Sequence, residues 1–120
     1  MVVIADGDPV TRKLVESVVE NCGVEVAVAE DGEEALRLIQ AHLPSLAVLA
    51  VSMPLRTGWE IGKELQANPR TSKIPIIFLT SHTQEKDVLE GFLSGATDYL
   101  FKPFSPSDLQ GCVQAILDRT

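Results

Sequence analysis

The sequence predicts an α/β fold in which one open, all-parallel sheet lies between two layers of helices. Three observations predict it. Five short apolar runs alternate with five segments whose apolar residues recur at helical spacing, the pattern of repeated βα units. Three of the runs carry no charge, as strands buried on both faces require: Val2-Val3-Ile4-Ala5, the stretch from Leu46 to Val51, and Pro75-Ile76-Ile77-Phe78-Leu79. The other two contain acids, Glu25 and Asp98, and so belong at sheet edges. The order 2-1-3-4-5 meets these demands with right-handed crossovers and puts the switch point between strands one and three.

Each element has its own signal. Asp6-Gly7-Asp8-Pro9 stops the first strand and opens a helix, with Asp8 at the N-cap and Pro9 at the first helical position. Val10, Leu14, Val18 and Cys22 recur along that helix, and Gly23 ends it. Val24 to Ala29 is the second strand. Asp31-Gly32-Glu33-Glu34 has the form of a capping box, followed by Ala35, Leu36, Ile39 and Leu43 on one helical face. The central strand lies between Pro44 and Pro54. Thr57-Gly58-Trp59-Glu60 is a second capping box, whose helix turns Ile61 and Leu65 inward and stops at Asn68-Pro69. After the fourth strand a helix is expected from about Thr83 to Ser94, with Val88, Leu89 and Phe92 inward and Gly95 at its end. Asp98-Tyr99-Leu100-Phe101 is a fifth, amphipathic strand. Ser105-Pro106-Ser107-Asp108 opens the last helix, with Leu109, Cys112, Val113 and Ile116 inward.

Composition narrows the function. A chain of 120 residues makes one domain with one core, expected over residues 1–120. A net charge of −7 argues against nucleic acid as a direct partner, because phosphate binding needs a basic face. No apolar run is long enough to span a membrane and none reads as a signal peptide, so no membrane partner and a cytoplasmic setting are expected. Cys22 and Cys112 fit no metal spacing and read as reduced thiols packed in helices.

Open α/β sheets bind ligands beyond the carboxyl ends of their strands. Here that mouth is lined by Asp6, Gly7 and Asp8, by Ala50, Val51 and Ser52, by Thr80 and Ser81, and by Lys102. Asp6 is either a turn acid or a carboxylate able to hold a cation. Thr80 either bonds an anion or satisfies its strand end. Lys102, at the end of a nearly apolar strand, needs an anionic partner or water, and Asp6 is the partner expected. Phosphoryl transfer to a protein carboxylate needs a nucleophile, Mg²⁺ and donors for the phosphoryl oxygens. Thr80 and Lys102 are the donors. The nucleophile is missing, and Ser52, a hydroxyl without an evident base, is a poor substitute. Asp6 beside Gly7 and Ala50 makes a poor Mg²⁺ cage.

From Val2 to Leu117 the chain resembles a receiver domain of the two-component response regulators. The resemblance rests on Ile4-Ala5-Asp6-Gly7-Asp8-Pro9, on Glu30 to Leu36, on Met53-Pro54 and Gly58, on Pro75 to Ser81, and on Gly95 to Phe104, in that order and spacing. It implies a three-layer, flavodoxin-like (βα)5 fold. It also implies an acidic pair after strand one for Mg²⁺, an Asp ending strand three as phosphoacceptor for a histidine kinase, and a Thr or Ser and a Lys that read the phosphoryl oxygens. Tyr99 matches an aromatic that swings inward on activation, and Lys102-Pro103 a step that is often cis.

The departures fall on the chemistry. Gly7 stands at the second acid, Ala50 at the phosphoacceptor, and Arg56 adds a cation near the mouth. The resemblance therefore implies a pseudo-receiver whose phosphorylation site, at Asp6, Gly7, Ala50, Thr80 and Lys102, is vestigial. No enzymatic activity and no cofactor are expected, with Mg²⁺ binding weak or absent. The expected partners are signalling proteins, a histidine kinase or an output domain. A homodimer is also anticipated, through the face of the fourth helix, fifth strand and fifth helix, with Gln84, Lys86, Asp87, Tyr99, Phe101 and residues near Ser105. Tyr99 and Phe101 either anchor a partner or cover the sheet edge, and Trp59 is either a contact or core filling; His82 is expected in solvent. Two alternatives are a conventional phosphoaccepting regulator with an introduced Asp-to-Ala change, which Gly7 speaks against, and a small-ligand-binding flavodoxin-like domain. The second lacks a glycine-rich phosphate loop after the first strand.

Overall fold

The structure is a computed structural model and describes residues 1–81 and 95–119. Strands β1 (Val2–Ala5), β2 (Val26–Ala29), β3 (Leu46–Ala50), β4 (Ile76–Thr80) and β5 (Asp98–Phe101) form one sheet in the order β2-β1-β3-β4-β5. All four pairings are parallel. The described helices are α1 (Pro9–Glu20), α2 (Gly32–His42), α3 (Gly58–Ala67) and α4 (Pro106–Leu117). The expected helix from Thr83 to Ser94, with Val88, Leu89 and Phe92, lies outside the described residues, as do His82, Gln84, Lys86 and Asp87.

Alternation along the strands splits the core in two. Val3, Ala5, Ala47, Leu49, Ile76 and Phe78 face Ala35, Leu36 and Ile39 of α2 and Ile61 and Leu65 of α3. Val2, Ile4, Leu46, Val48, Ile77 and Leu79 face Val15, Val18 and Val19 of α1 and Leu109, Val113 and Ile116 of α4. The charge-free strands β1, β3 and β4 are buried along their whole length, and the two acid-bearing runs are the edges.

Four local expectations change. Val10 is 77% exposed, and the inward face of α1 centres on Val15, Val18 and Val19. Steps of four residues advance the helix by more than one turn, so Val10 drifts off the stripe that buries Val18. Leu43 is not on the inner face of α2. It is the C-cap, in the left-handed region with φ 46°, and is exposed. The second capping box closes fully, with Thr57 and Glu60 bonding reciprocally. The first is displaced: Asp31 accepts the Glu34 amide at 2.8 Å, while Glu34 Oε1 accepts the Glu30 amide at 3.1 Å in place of that of Asp31. Finally, β2 begins at Val26; Val24 and Glu25 precede it, although the Glu25 carbonyl still accepts the Val2 amide at 2.9 Å.

Candidate functional site

Register brings the mouth together. Ala5 is level with Leu49, which puts Asp6, the residue just beyond β1, beside Ala50 at the end of β3. Ala50 pairs with Leu79, and Thr80 with Phe101, so Thr80 and Lys102 complete the same rim.

Asp6 is the deepest polar group there, its side chain 2% exposed. Its Oδ1 accepts the Asp8 amide at 2.9 Å and its Oδ2 accepts Lys102 Nζ at 2.9 Å. Lys102 follows β5, and its peptide to Pro103 is cis. Its chain crosses the ends of β4 and β3 to reach β1. Asp8 serves α1 instead: Oδ1 accepts the Val10 amide at 3.2 Å and Oδ2 the Thr11 hydroxyl at 2.7 Å. The Thr11 bond first, then the Val10 amide, lowers its pKa below the ordinary 3.8 by favouring the carboxylate.

Arg12 is a member of the site that sequence reasoning missed. Its Nη1 donates to the Asp6 carbonyl at 2.9 Å, its guanidinium lies 3.6 Å from Glu30, and its side chain is only 18% exposed. Its position on the first turn after the Asp8 cap was the available signal, since a long side chain there can reach back over the strand end.

Among the described residues no acid lies between these groups. Gly7 carries no side chain, and a Cβ there would lie 2.9 Å from Pro54 Cδ and 3.7 Å from the Glu30 carbonyl. Ala50 is fully buried, Val51 nearly so, and Ser52 is exposed. Thr80 is buried, its carbonyl accepting the Lys102 amide at 2.8 Å, and Ser81 is exposed. Arg56, expected as a cation at the mouth, turns to α3 and α2 instead. It pairs with Glu64 and lies 3.8 Å from Glu33, because two carboxylates outcompete the nearly neutral mouth for its guanidinium. Among the described residues no group of three or more His, Cys, Asp or Glu is placed to hold a metal.

Among the described residues, hollows flank the mouth on two sides. One, of about 380 Å³, is lined by Asp8, Thr11, Leu14, Lys102, Pro103 and Phe104. The other, of about 510 Å³, lies over Gly7, between Pro9, Arg12, Glu30, Asp31, Pro54 and Leu55. On the α3 side a chain of rings runs to the sheet edge. Half-buried Trp59 meets Phe78 edge-on at 4.6 Å and Tyr99 at 6.4 Å, and Tyr99 stacks on Phe101 at 6.3 Å. Tyr99 thus packs on the core, while Phe101 is 41% exposed. Burial, then the Asp98 carboxylate, pushes the Cys112 thiol up to about 11, and burial raises that of Cys22. Among the described residues no helix is long and apolar enough to cross a membrane.

Known proteins share this architecture. The response regulator receiver domain family matches residues 2–114. The probable transcriptional regulator ycf27 of Cyanophora paradoxa is 39% identical over 99% of this chain and 48% of its own length. The chain thus spans about half the length of such curated relatives. Chemotaxis protein CheY4 of Vibrio cholerae superposes with a TM-score of 0.88 at 33% identity, covering 96% of both chains. The receiver domain of the Francisella response regulator 1452 gives 0.89 at 32% identity, covering 98% of this chain and 96% of that one. With the family matched over nearly the whole chain and the same parallel sheet beneath the same rim, this protein belongs to the response regulator receiver domains of two-component signalling.

Proposed function

We propose that this receiver domain signals through protein contacts and takes no phosphoryl group at the end of β3, which makes it a pseudo-receiver. One observation carries the reading: Asp6 is closed on Lys102 and on the Asp8 amide, while the residue beside it, at the end of β3, is the methyl of Ala50. Transfer to a protein requires a nucleophile, and a methyl group has no lone pair to offer. The donors for phosphoryl oxygens, Thr80 and Lys102, remain around a missing acceptor.

The donor set does not fit Mg²⁺. That ion wants near-octahedral oxygens, with one or two carboxylates among them. Both Asp6 oxygens are engaged, Asp8 faces its own helix, and Gly7 and Ala50 supply no oxygen from a side chain. A single introduced change at Ala50 would leave Gly7 unexplained, which favours this reading over a conventional receiver altered at one position.

The partners in this reading are a histidine kinase or an output protein, and a second copy of the domain is a further candidate. Exposed Phe101 on the edge strand is a suitable anchor, since aromatics are enriched at binding centres. The acidic charge of −7 speaks against direct contact with nucleic acid. The action is binding, with no reaction catalysed, in a cytoplasmic setting. Incubation with Mg²⁺ and acetyl phosphate, followed by intact-mass measurement, tests it. No base-labile mass increase is expected; an increase mapped beside Ala50 would overturn the reading.

A further inference from the structure

Strand β2 is an outer strand of the sheet, paired with β1 along its inner side. Its ladder shows which backbone groups face outward. The Glu25 carbonyl accepts the Val2 amide at 2.9 Å, and the Ala29 carbonyl accepts the Asp6 amide at 3.3 Å. Hydrogen-bonding direction alternates along a strand, so Glu25, Ala27 and Ala29 turn toward β1 and Val26, Val28 and Glu30 turn away. The outward Glu30 amide is taken by Glu34 Oε1 at 3.1 Å. That leaves Val26 and Val28, and among the described residues nothing pairs with their outward N–H and C=O groups.

Open edges are commonly blunted by lysine, proline or a bulge. Val26-Ala27-Val28-Ala29 has none of these, and its register against β1 is unbroken. Its surroundings carry charge instead, all of one sign. From Glu16 to Glu34 the chain holds seven acids and no lysine or arginine. Arg12, Arg37 and Arg56 reach in from outside that stretch to Glu30, Glu34 and Glu33. Glu16, Glu20 and Glu25 have no ion-pair partner among the described residues. Arg12, Glu16 and Glu20 recur every four residues and so share one flank of α1. That flank is the one beside β2, because Arg12 reaches Glu30 just past the strand's end, whereas Leu14 on the opposite flank lines the hollow with Pro103 and Phe104.

The charges select the occupant. A second copy pairing antiparallel would bring its Glu30 to the end that holds Glu25, and a parallel copy would set like residues together. Like charges brought together across strands are destabilising. An extended chain carrying lysine or arginine meets the opposite sign instead. We infer that the β2 edge is a docking site for an extended, cationic segment of a partner protein, which adds a strand through Val26 and Val28 and sets its basic side chains against Glu16, Glu20 and Glu25. Main-chain bonds supply the affinity, and the glutamates supply the choice of partner. The site lies at the sheet edge opposite Phe101 and is independent of whether a phosphoryl group is ever taken.

Amide hydrogen exchange at Val26 and Val28 reads the site directly. The probe is a short capped peptide of alternating valine and threonine with lysines at both ends, and its control carries glutamates in their place. At millimolar concentration the lysine peptide is expected to slow exchange at Val26 and Val28 by roughly fivefold or more, and the glutamate peptide by less than about twofold. Glu20→Lys combined with Glu25→Lys, both at exposed positions, should abolish the response to the lysine peptide. Equal slowing by the two peptides, or none by the lysine peptide, would overturn the proposal, as would a response that survives the double change. Slowing at these amides without peptide, as the chain's own concentration rises, would also overturn it by making a second copy the occupant. Should the double variant fail to fold, the two peptides decide on the unsubstituted chain.

Discussion

Lys102 Nζ lies 2.9 Å from Asp6 Oδ2, across the ends of the two strands that separate β5 from β1. The pair joins the edge of the sheet to its middle. It also balances the charge of the mouth from within the chain, since one carboxylate faces one ammonium.

Breaking that pair should cost stability asymmetrically. Lys102→Met strands a carboxylate that is 2% exposed. The loss should be roughly 2 kcal/mol, below the 3–5 of wholly buried pairs because Lys102 itself keeps access to water. Asp6→Asn with Lys102→Met should cost less than the two single changes added together. Urea unfolding of the four proteins measures the coupling, and strict additivity would show that the contact carries no energy.

Divalent cations should leave the mouth unmoved. Trp59 is the second residue of α3, just beyond the loop that roofs the site, and is the chain's sole tryptophan. Its emission should stay constant through millimolar Mg²⁺, with or without beryllofluoride. A saturable change would show a cation or anion entering beside Ala50.

Asp8 gives the acid limb of the stability profile a predictable sign. Its folded pKa is depressed, chiefly by the Thr11 hydroxyl. A depressed carboxylate stabilises the fold above its unfolded value of 3.8, and that contribution disappears as pH falls through the lower folded value. Thermal melts should therefore be insensitive to this group near neutrality and fall in strong acid. Thr11→Ala should shrink the acid-limb slope, and Asp8→Asn should abolish this residue's share of it.

The thiol of Cys112 should react slowly. Its pKa of about 11, against the ordinary 9.0, lowers the thiolate fraction near pH 8 by about 100-fold, and the thiolate is the nucleophile. Mass spectrometry of iodoacetamide-treated protein should show this lag relative to the unfolded chain, and Asp98→Asn should shorten it. Because the folded value is raised, any stability linked to this group is complete below pH 9.0 and is lost as pH rises toward about 11.

Legibility followed the range of the forces involved. Strands β1, β3 and β4 were readable because a strand covered on both faces cannot hold a charge, and Glu25 and Asp98 marked the edges for the converse reason. The caps at Asp8, Thr57 and Ser105 were readable because each acts on amides within one turn. The stripe on α1 was misread at Val10, since spacing by fours ignores the drift of the helix. Leu43 was misread because its left-handed cap turns it out of a helix that its hydrophobicity seemed to continue. Arg12 was overlooked because its nearest partner is a main-chain oxygen and its acid, Glu30, stands eighteen residues on at the end of another strand.

What the sequence determined alone is the parallel sheet, the strand order that follows from charge-free and acid-bearing runs, and the absence of a nucleophile at Ala50. These depend on composition and on contacts between chain neighbours. Only the tertiary structure decided that Arg56 faces away from the mouth and that the Pro54 ring lies against Gly7. Those outcomes rest on ångström-scale contacts between separate elements of the fold, where competing partners and ring shape, not residue type, choose the winner.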